Sequence, residues 1–183
     1  MSYSVPDTCV FALTLPKAVL FRHRDAPAVL DLPWQGEGSS KRAFVRLTFE
    51  LPSERALRCD IRPVGLFGFL SFFVGGEDIR LGWEVFDDHF VVKTNAPAEA
   101  AIIFAPRVQE QLLELQEFAD LHAPRQGIGP GYFDVSLSGN RLQLRMQGVL
   151  QNAQQLMMFY QACSRIYDLI TAGQPTPGSQ VES

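Results

Sequence analysis

The clearest pattern in the chain is the alternation of apolar and polar residues in two neighbouring segments. In residues 43–51 the apolar side chains fall on every second position, and residues 57–62 repeat the alternation. This period places apolar residues on one face of a β-strand and polar residues on the other. Both segments are therefore predicted to be half-buried antiparallel strands, which the polar stretch 52–55 is predicted to join as a hairpin.

The most specific prediction is a second hairpin near the C-terminus. Residues 132–138 and 141–147 also alternate, and the Gly139-Asn140 pair between them is typical of a two-residue turn. Such a turn fixes the register of the two strands. The expected pairs are Leu137 with Leu142, Val135 with Leu144, and Phe133 with Met146.

Four shorter segments are also predicted to be strands: residues 9–15, 18–21, 78–83 and 89–94. The Asp pair in residues 86–88 favours a turn between the last two, because aspartate side chains bond nearby backbone amides. Residues 25–42 are rich in Pro, Gly, Ser and charge, which predicts a loop.

The period changes to that of a helix after residue 96. Pro97 and Pro106 each suit a first helical turn, so helices are predicted to begin there. A long helix is predicted over residues 152–171, with Gly173 as a stop signal. Its predicted apolar stripe is Ala153, Leu156, Tyr160, Cys163, Tyr167 and Ile170.

These elements predict a single α+β domain in which a mostly antiparallel sheet packs against two or three helices, one of them a long C-terminal helix. The domain is expected to span residues 9–172. Residues 1–8 are expected to form a short tail, and the polar residues 173–183 a disordered one.

Composition and charge then narrow the classes of function. The 183 residues carry 16 Lys and Arg against 20 Asp and Glu, a net charge of −4, whereas a nucleic-acid-binding domain usually shows a basic excess. No segment has the roughly 20 apolar residues of a membrane-spanning helix, and the N-terminus lacks the pattern of a signal peptide. A soluble, cytoplasmic protein that binds no nucleic acid is therefore expected.

The cysteines do not indicate a metal or a disulfide. Cys9, Cys59 and Cys163 lie far apart in the sequence and show neither zinc-ligand spacing nor a paired framework. They are expected to be small core residues. No metal ion and no cofactor is predicted.

Two motifs can be interpreted as catalytic or ligand-binding sites, but a structural interpretation is favoured for each. Asp87, Asp88 and His89 form the tightest ionisable cluster, but adjacent residues of a strand point apart, so a solvated turn is favoured. The glycine-rich residues 127–131 lead into a strand, whereas a phosphate-binding loop leads into a helix. No catalytic residue is predicted from either.

Residues 65–76 form the most unusual segment, because they carry no charge and include Phe67, Phe69, Phe72 and Phe73. Burying one large apolar side chain stabilises a protein by roughly 1.5–3 kcal/mol, so such a cluster is not expected to face water without a reason. The segment is expected to be buried, to face a partner protein, or to rest on a membrane. The last is disfavoured because interfacial segments normally carry Lys or Arg.

Five arginines occupy outward positions of the predicted strands. If the strands share one sheet, these side chains form a basic stripe that could bind an acidic protein surface or a phosphate-bearing ligand. An ordinary solvated face with interleaved carboxylates is the alternative. The five are Arg46, Arg58, Arg62, Arg141 and Arg145.

Part of the chain also resembles a known family. Residues 86–92 read Phe-Asp-Asp-His-Phe-Val-Val, residues 96–100 read Ala-Pro-Ala-Glu-Ala, and Pro106 opens a helix. This order resembles a family of uncharacterised bacterial domains of unknown function, in which an F-D-x-x-F-V-V strand precedes a proline-initiated helix. The resemblance implies a bacterial protein, and no catalytic residue can be carried over from the family.

The expected function is that of a non-enzymatic protein-interaction domain, a soluble subunit or adaptor of a bacterial complex. It would bind another protein, or a second copy of itself, through the four phenylalanines or the five arginines. A carrier of a small apolar ligand, with a cavity near the Phe-rich segment, is the alternative. An enzyme that uses Asp87, Asp88 or His89 is the third possibility.

Overall fold

A computed structural model describes residues 18–35, 42–64, 77–122, 132–148, 150 and 152–172 of the chain. The strands are β1 (Ala18–His23), β2 (Ala26–Asp31), β3 (Trp34–Gln35), β4 (Arg42–Glu50), β5 (Arg58–Pro63), β6 (Glu77–Ile79), β7 (Phe90–Thr94), β8 (Phe133–Ser138) and β9 (Arg141–Gln147). The helices are α1 (Glu84–His89), α2 (Pro97–Ile103), α3 (Pro106–His122) and α4 (Ala153–Ala172).

Eight of these strands form one antiparallel sheet in the order β1-β2-β4-β9-β8-β5-β7-β6, and β3 pairs with the beginning of β4. β8 and β9 form the predicted hairpin in the predicted register. Gly139 has φ +62° at the first turn position, a left-handed conformation that glycine adopts without strain. This hairpin lies inside the sheet, because β9 also pairs with β4 and β8 with β5.

The four helices pack against one face of the sheet and enclose a hydrophobic core. The strands contribute alternate apolar residues such as Leu47, Ile61 and Leu144, while α3 and α4 contribute Leu112 and Phe159. The helices α2 and α3 begin at the two predicted prolines. The predicted fold class, a single α+β domain with a mostly antiparallel sheet and a long C-terminal helix, is confirmed.

The predicted hairpin between the first two alternating segments is wrong. β4 and β5 lie on opposite sides of the β8–β9 hairpin, and the chain between them passes around its turn. There the Leu51 N–H donates to the carbonyl of Asn140 (2.6 Å), and the Arg55 N–H donates to that of Gly139 (3.1 Å). Alternation identified both strands correctly, but it does not determine which strands pair.

The predicted loop 25–42 contains a strand, β2, that pairs with both β1 and β4. Pro27 is unfavourable inside a sheet, since proline cannot donate a hydrogen bond to a neighbouring strand. It is accommodated because the pairing of β2 with β4 begins at Ala28, one residue later. The prediction was wrong for residues 26–31 and for residues 34–35, where β3 pairs with β4.

The predicted strand over residues 78–83 shortens to β6, and α1 replaces the turn predicted at 86–88. The Asp87 carboxylate bonds nearby backbone amides, as turn chemistry suggested. It accepts hydrogen bonds from the N–H groups of Leu81 (2.8 Å) and Gly82 (2.9 Å), so it closes the bend before the helix rather than a turn between two strands.

Cys59 and Cys163 are buried free thiols, as predicted, and burial raises the pKa of Cys59 to about 12. Other predictions concern residues outside the described ranges. They are Cys9, the strand at 9–15, the Phe-rich segment 65–76, the glycine-rich loop 127–131, and the tails 1–8 and 173–183.

Candidate functional site

The candidate site is the sheet face opposite the helices, which we call the outer face. Side chains alternate between the two faces of a strand, so the register assigns every second residue of each strand to it. None of the helices in the described ranges packs there. All five predicted arginines lie on it: Arg46 on β4, Arg58 and Arg62 on β5, and Arg141 and Arg145 on β9.

The outer face has the opposite charge sign to the chain as a whole. Among the side chains that the structure describes, its strands carry seven basic ones, namely Arg22, Arg46, Arg58, Arg62, Lys93, Arg141 and Arg145. They carry five acidic ones, namely Asp31, Glu50, Asp60, Asp78 and Asp134. The basic excess contrasts with the net charge of −4 over the full sequence.

Two arginines stand opposite each other at the centre of the outer face, Arg46 on β4 and Arg145 on β9. Arg46 Nε donates to Asp31 Oδ1 at 2.7 Å, and its terminal nitrogen bonds the same carboxylate. Arg145 makes the equivalent pair with Asp134, its Nε lying 3.0 Å from Oδ2. Paired bonds of this kind fix the direction of a guanidinium, so both arginines are held in place.

Arg145 is also enclosed by two aromatic rings. Its guanidinium carbon lies 4.8 Å from the centroid of the Phe44 ring and 5.6 Å from that of Tyr132, a cation–π arrangement. The Tyr132 hydroxyl donates to Asp134 and accepts from Arg145 Nη2 at 3.1 Å. Burial and the charge of Asp134 raise the pKa of Tyr132 to about 12. Arg145 is therefore a structural residue as much as a surface cation.

Asp60 faces outward as predicted, yet it is only 8 % exposed. In the described part of the chain its Oδ2 atom has no hydrogen-bond partner, and Arg62 Nη2 lies 3.9 Å from that atom. Burial raises the pKa of Asp60, the charge of Arg62 opposes the increase, and the charge of Asp134 adds to it. Ionised Asp60 therefore reduces the stability of the fold.

We expect Asp60→Asn to raise the free energy of unfolding at pH 7 and to change it little at pH 3. The folded protein holds the Asp60 proton more tightly than the unfolded chain. The stabilisation that this proton gives the folded state is therefore complete below the ordinary Asp pKa of 3.8, and it is lost as the pH rises through the pKa of Asp60 in the folded protein. Asparagine cannot ionise, so it removes the loss. Urea denaturation at both pH values measures the effect, and a variant less stable than wild type at pH 7 would contradict it.

Arg58 and Arg141 are the exposed arginines of the predicted stripe. Both lie opposite Ser138 of β8, Arg58 on β5 at one side of that strand and Arg141 on β9 at the other. Adjacent strands are about 4.8 Å apart, so the two α-carbons lie about 10 Å from each other. A partner surface can reach this pair directly, whereas the side chain of Arg145 is only 17 % exposed.

Asp87, Asp88 and His89 do not converge on a common point. Asp87 bonds the preceding backbone amides, and His89 Nδ1 lies 2.7 Å from the carbonyl oxygen of Val85, within α1. Asp88 and His89 are exposed. Among the described residues, no group of three His, Cys, Asp or Glu side chains is arranged to hold a metal ion.

A polar cluster that the sequence did not suggest joins β1 to α4. His23 Nδ1 lies 3.0 Å from the Tyr160 hydroxyl, and His23 Nε2 lies 2.9 Å from Asp168 Oδ1. Arg24 donates to the other oxygen of Asp168 at 2.8 Å. His23 and Tyr160 are 137 positions apart in the sequence, so no local motif could have revealed these contacts, which hold the edge strand against the helical layer.

A pocket of about 410 Å³ lies on the surface between α3 and α4. It is largely open to solvent, whereas the carrier hypothesis requires an enclosed apolar cavity. The Phe-rich segment that suggested such a cavity lies outside the described residues. The lining residues are Arg107, Glu110, Gln111, Arg165, Asp168 and Leu169.

The architecture defines a class of protein, a single α+β domain whose antiparallel sheet bears helices on one face. The chain is similar in structure to the mycobacterial trehalose monomycolate transport factor A, with a TM-score of 0.56 and 15 % sequence identity over 87 % of this chain and 74 % of that one. This likeness shows the fold alone.

Sequence comparison adds no family to this result. No family model and no curated protein matches the chain, so the resemblance to bacterial domains of unknown function stays a prediction. Within the described ranges, no helix combines the length and the hydropathy that crossing a membrane requires.

Proposed function

We propose that this chain is a non-enzymatic protein-interaction domain, a subunit or adaptor that binds an acidic surface of another protein through its outer face. The observation that carries the proposal is the basic excess on a sheet face that none of the described helices covers, in a chain with a net charge of −4. A local potential of this sign attracts acidic partners and repels basic ones.

The internal structure of the outer face supports recognition by a rigid surface. Asp31 and Asp134 hold the central arginines, and Arg58 and Arg141 are exposed on β5 and β9, one on each side of β8. A surface whose side chains are already ordered loses less conformational entropy when it binds. The β-strand backbone also keeps the spacing of the exposed pair constant.

Two further observations are compatible with a non-enzymatic role. Asp87 and His89, the candidates for an enzyme, are hydrogen-bonded to backbone groups beside them. The structurally similar mycobacterial protein is a trehalose monomycolate transport factor, a role that is not itself an enzymatic activity.

The test is a comparison of two charge-reversal variants. Arg58→Glu/Arg141→Glu reverses the exposed pair on the outer face, and Arg107→Glu/Arg165→Glu makes the same change in net charge on exposed residues of the helices. We expect a stoichiometric acidic partner of the wild-type protein to bind the outer-face variant at least tenfold more weakly, a loss of about 1.4 kcal/mol or more. It should bind the helical variant as it binds wild type.

Tagged proteins purified from the native host, followed by titration calorimetry with the purified partner, provide the measurement. Affinity should also fall as salt is raised, because exposed charges are screened. Equal loss in both variants, no loss in the outer-face variant, or a wild-type protein that retains no partner would each contradict the proposal.

A further inference from the structure

The connection between β5 and β6 has to cross the sheet. The two strands run parallel, since each is antiparallel to β7 between them. β5 ends at Pro63, opposite Phe90, whereas β6 begins at Glu77, opposite Thr94. Phe90 and Thr94 are the two ends of β7, so residues 64–76 must return along its whole length. A connection between parallel strands of this kind passes over one face of the sheet.

The handedness of this connection depends on the side of β5 on which β7 lies, and the backbone hydrogen bonds of β5 determine that side. The outward-facing Arg58 accepts a bond at its carbonyl from Asn95 N–H (3.2 Å), and the N–H of Val64 donates to the carbonyl of His89 (2.8 Å). The outward residues of β5 therefore direct their backbone groups towards β7. When a strand of L-residues is viewed running upward, each residue whose side chain faces the viewer has its N–H and C=O groups pointing to the right.

Seen from the outer face with β5 running upward, β7 and β6 therefore lie to its right. A crossover that steps to the right is right-handed when it passes in front of the sheet, and left-handed when it passes behind. Parallel crossovers in one sheet are right-handed in about 98 % of cases. Handedness therefore favours a path over the outer face.

Packing on the helical side of β7 leads independently to the same face. Phe86 of α1 stacks on Phe90 with ring centroids 4.8 Å apart, and Val92 is fully buried beside it. This side is already filled. On the outer face, Val91 of β7 is 37 % exposed and Val64, where the chain leaves β5, is 44 % exposed.

We propose that the outer face of β7 and β6, beside β5, is the docking surface for residues 65–76 of this same chain. Val91 of β7 and Val64 at the end of β5 give the phenylalanines of this uncharged segment exposed apolar side chains to contact, beside the ion pair of Lys93 with Asp78. This arrangement locates the Phe-rich segment outside the helical core. It also locates it beside Arg58 and Arg62, next to the surface proposed to bind a partner.

Paramagnetic relaxation measured by NMR tests the path. Lys93→Cys carries a nitroxide on the outer face of β7, and Glu110→Cys carries the same label on an exposed position of α3. Both are made with Cys9→Ser, while Cys59 and Cys163 are buried and protected from the reagent. A chain packed on a sheet lies about 10 Å from it, close enough for strong broadening.

We expect the amide signals of residues 66–73 to lose most of their intensity with the Lys93→Cys label and to keep it with the Glu110→Cys label. Asp78→Cys on β6 provides a second outer-face label if the first disturbs packing, and the remaining signals report whether each variant is folded. Broadening from the α3 label, or from neither outer-face label, would overturn the proposal. The result does not depend on partner binding, so it is separable from the proposed function.

Discussion

Replacing Arg145 with methionine is expected to lower the free energy of unfolding by about 3 kcal/mol, because removing one member of a buried ion pair leaves the other charge uncompensated. Asp134, its partner, has a side chain that is 8 % exposed. The Tyr132 hydroxyl donates to Asp134 and cannot replace a positive charge. Urea denaturation followed by circular dichroism measures the loss.

Two companion variants separate the ion pair from other causes. Arg141→Met removes an exposed arginine from the same strand and face, and it is expected to change stability by less than about 0.5 kcal/mol. Asp134→Asn/Arg145→Met removes both charges but keeps an acceptor for Tyr132, so it should be more stable than Arg145→Met alone. If the double variant were the less stable of the two, uncompensated charge would not be the cause.

This prediction also changes how the outer face can be tested. From the sequence, Arg58 and Arg145 look like equivalent outward arginines of two amphipathic strands. In the structure Arg58 is exposed and Arg145 is enclosed by Phe44, Tyr132 and Asp134. A loss of binding in an Arg145 variant could therefore reflect unfolding, which is why the binding test uses Arg58 and Arg141.

Alternation along a strand is a local property, and it gave the face of each outward arginine correctly. The partners of those side chains depend on strand order, which alternation does not contain. Arg46 pairs with Asp31 because β2 lies beside β4, yet the Pro, Gly, Ser and charge content of residues 25–42 predicted a loop there. Asp60 likewise occupies an outward position but is buried, because its environment depends on β8 and on Arg62.

The β8–β9 hairpin was predictable in full because its turn and its pattern agree. A two-residue turn leaves a single register, and only that register sets apolar residues opposite each other on one face. By contrast, the contacts of His23 with Tyr160 and Asp168 join the two ends of the described chain. They follow from tertiary packing, and no local signal marks these residues.

Helix α4 shows that a local pattern can also leave the buried face of a single element undetermined. The predicted stripe included Ala153, Leu156 and Tyr160, but Ala153 is exposed and the other two are half-buried. Phe159 is fully buried instead. Residues 156–160 are all apolar, so periodicity leaves the rotation of this half of the helix undetermined. The tertiary structure selects the face formed by Phe159, Cys163, Ile166 and Ile170.

Phe159→Ala is therefore expected to lower the free energy of unfolding by about 3–5 kcal/mol, the range for truncating a fully buried phenylalanine. The loss combines the transfer of the ring to water with the cavity left between α4 and the sheet. Met158→Ala is the matched control on the adjacent residue, which is 44 % exposed, and it should cost less than about 1 kcal/mol. Urea denaturation of both variants distinguishes a helix that buries Phe159 from one that buries Met158. A Met158→Ala loss as large as that of Phe159→Ala would show that α4 packs through the other face.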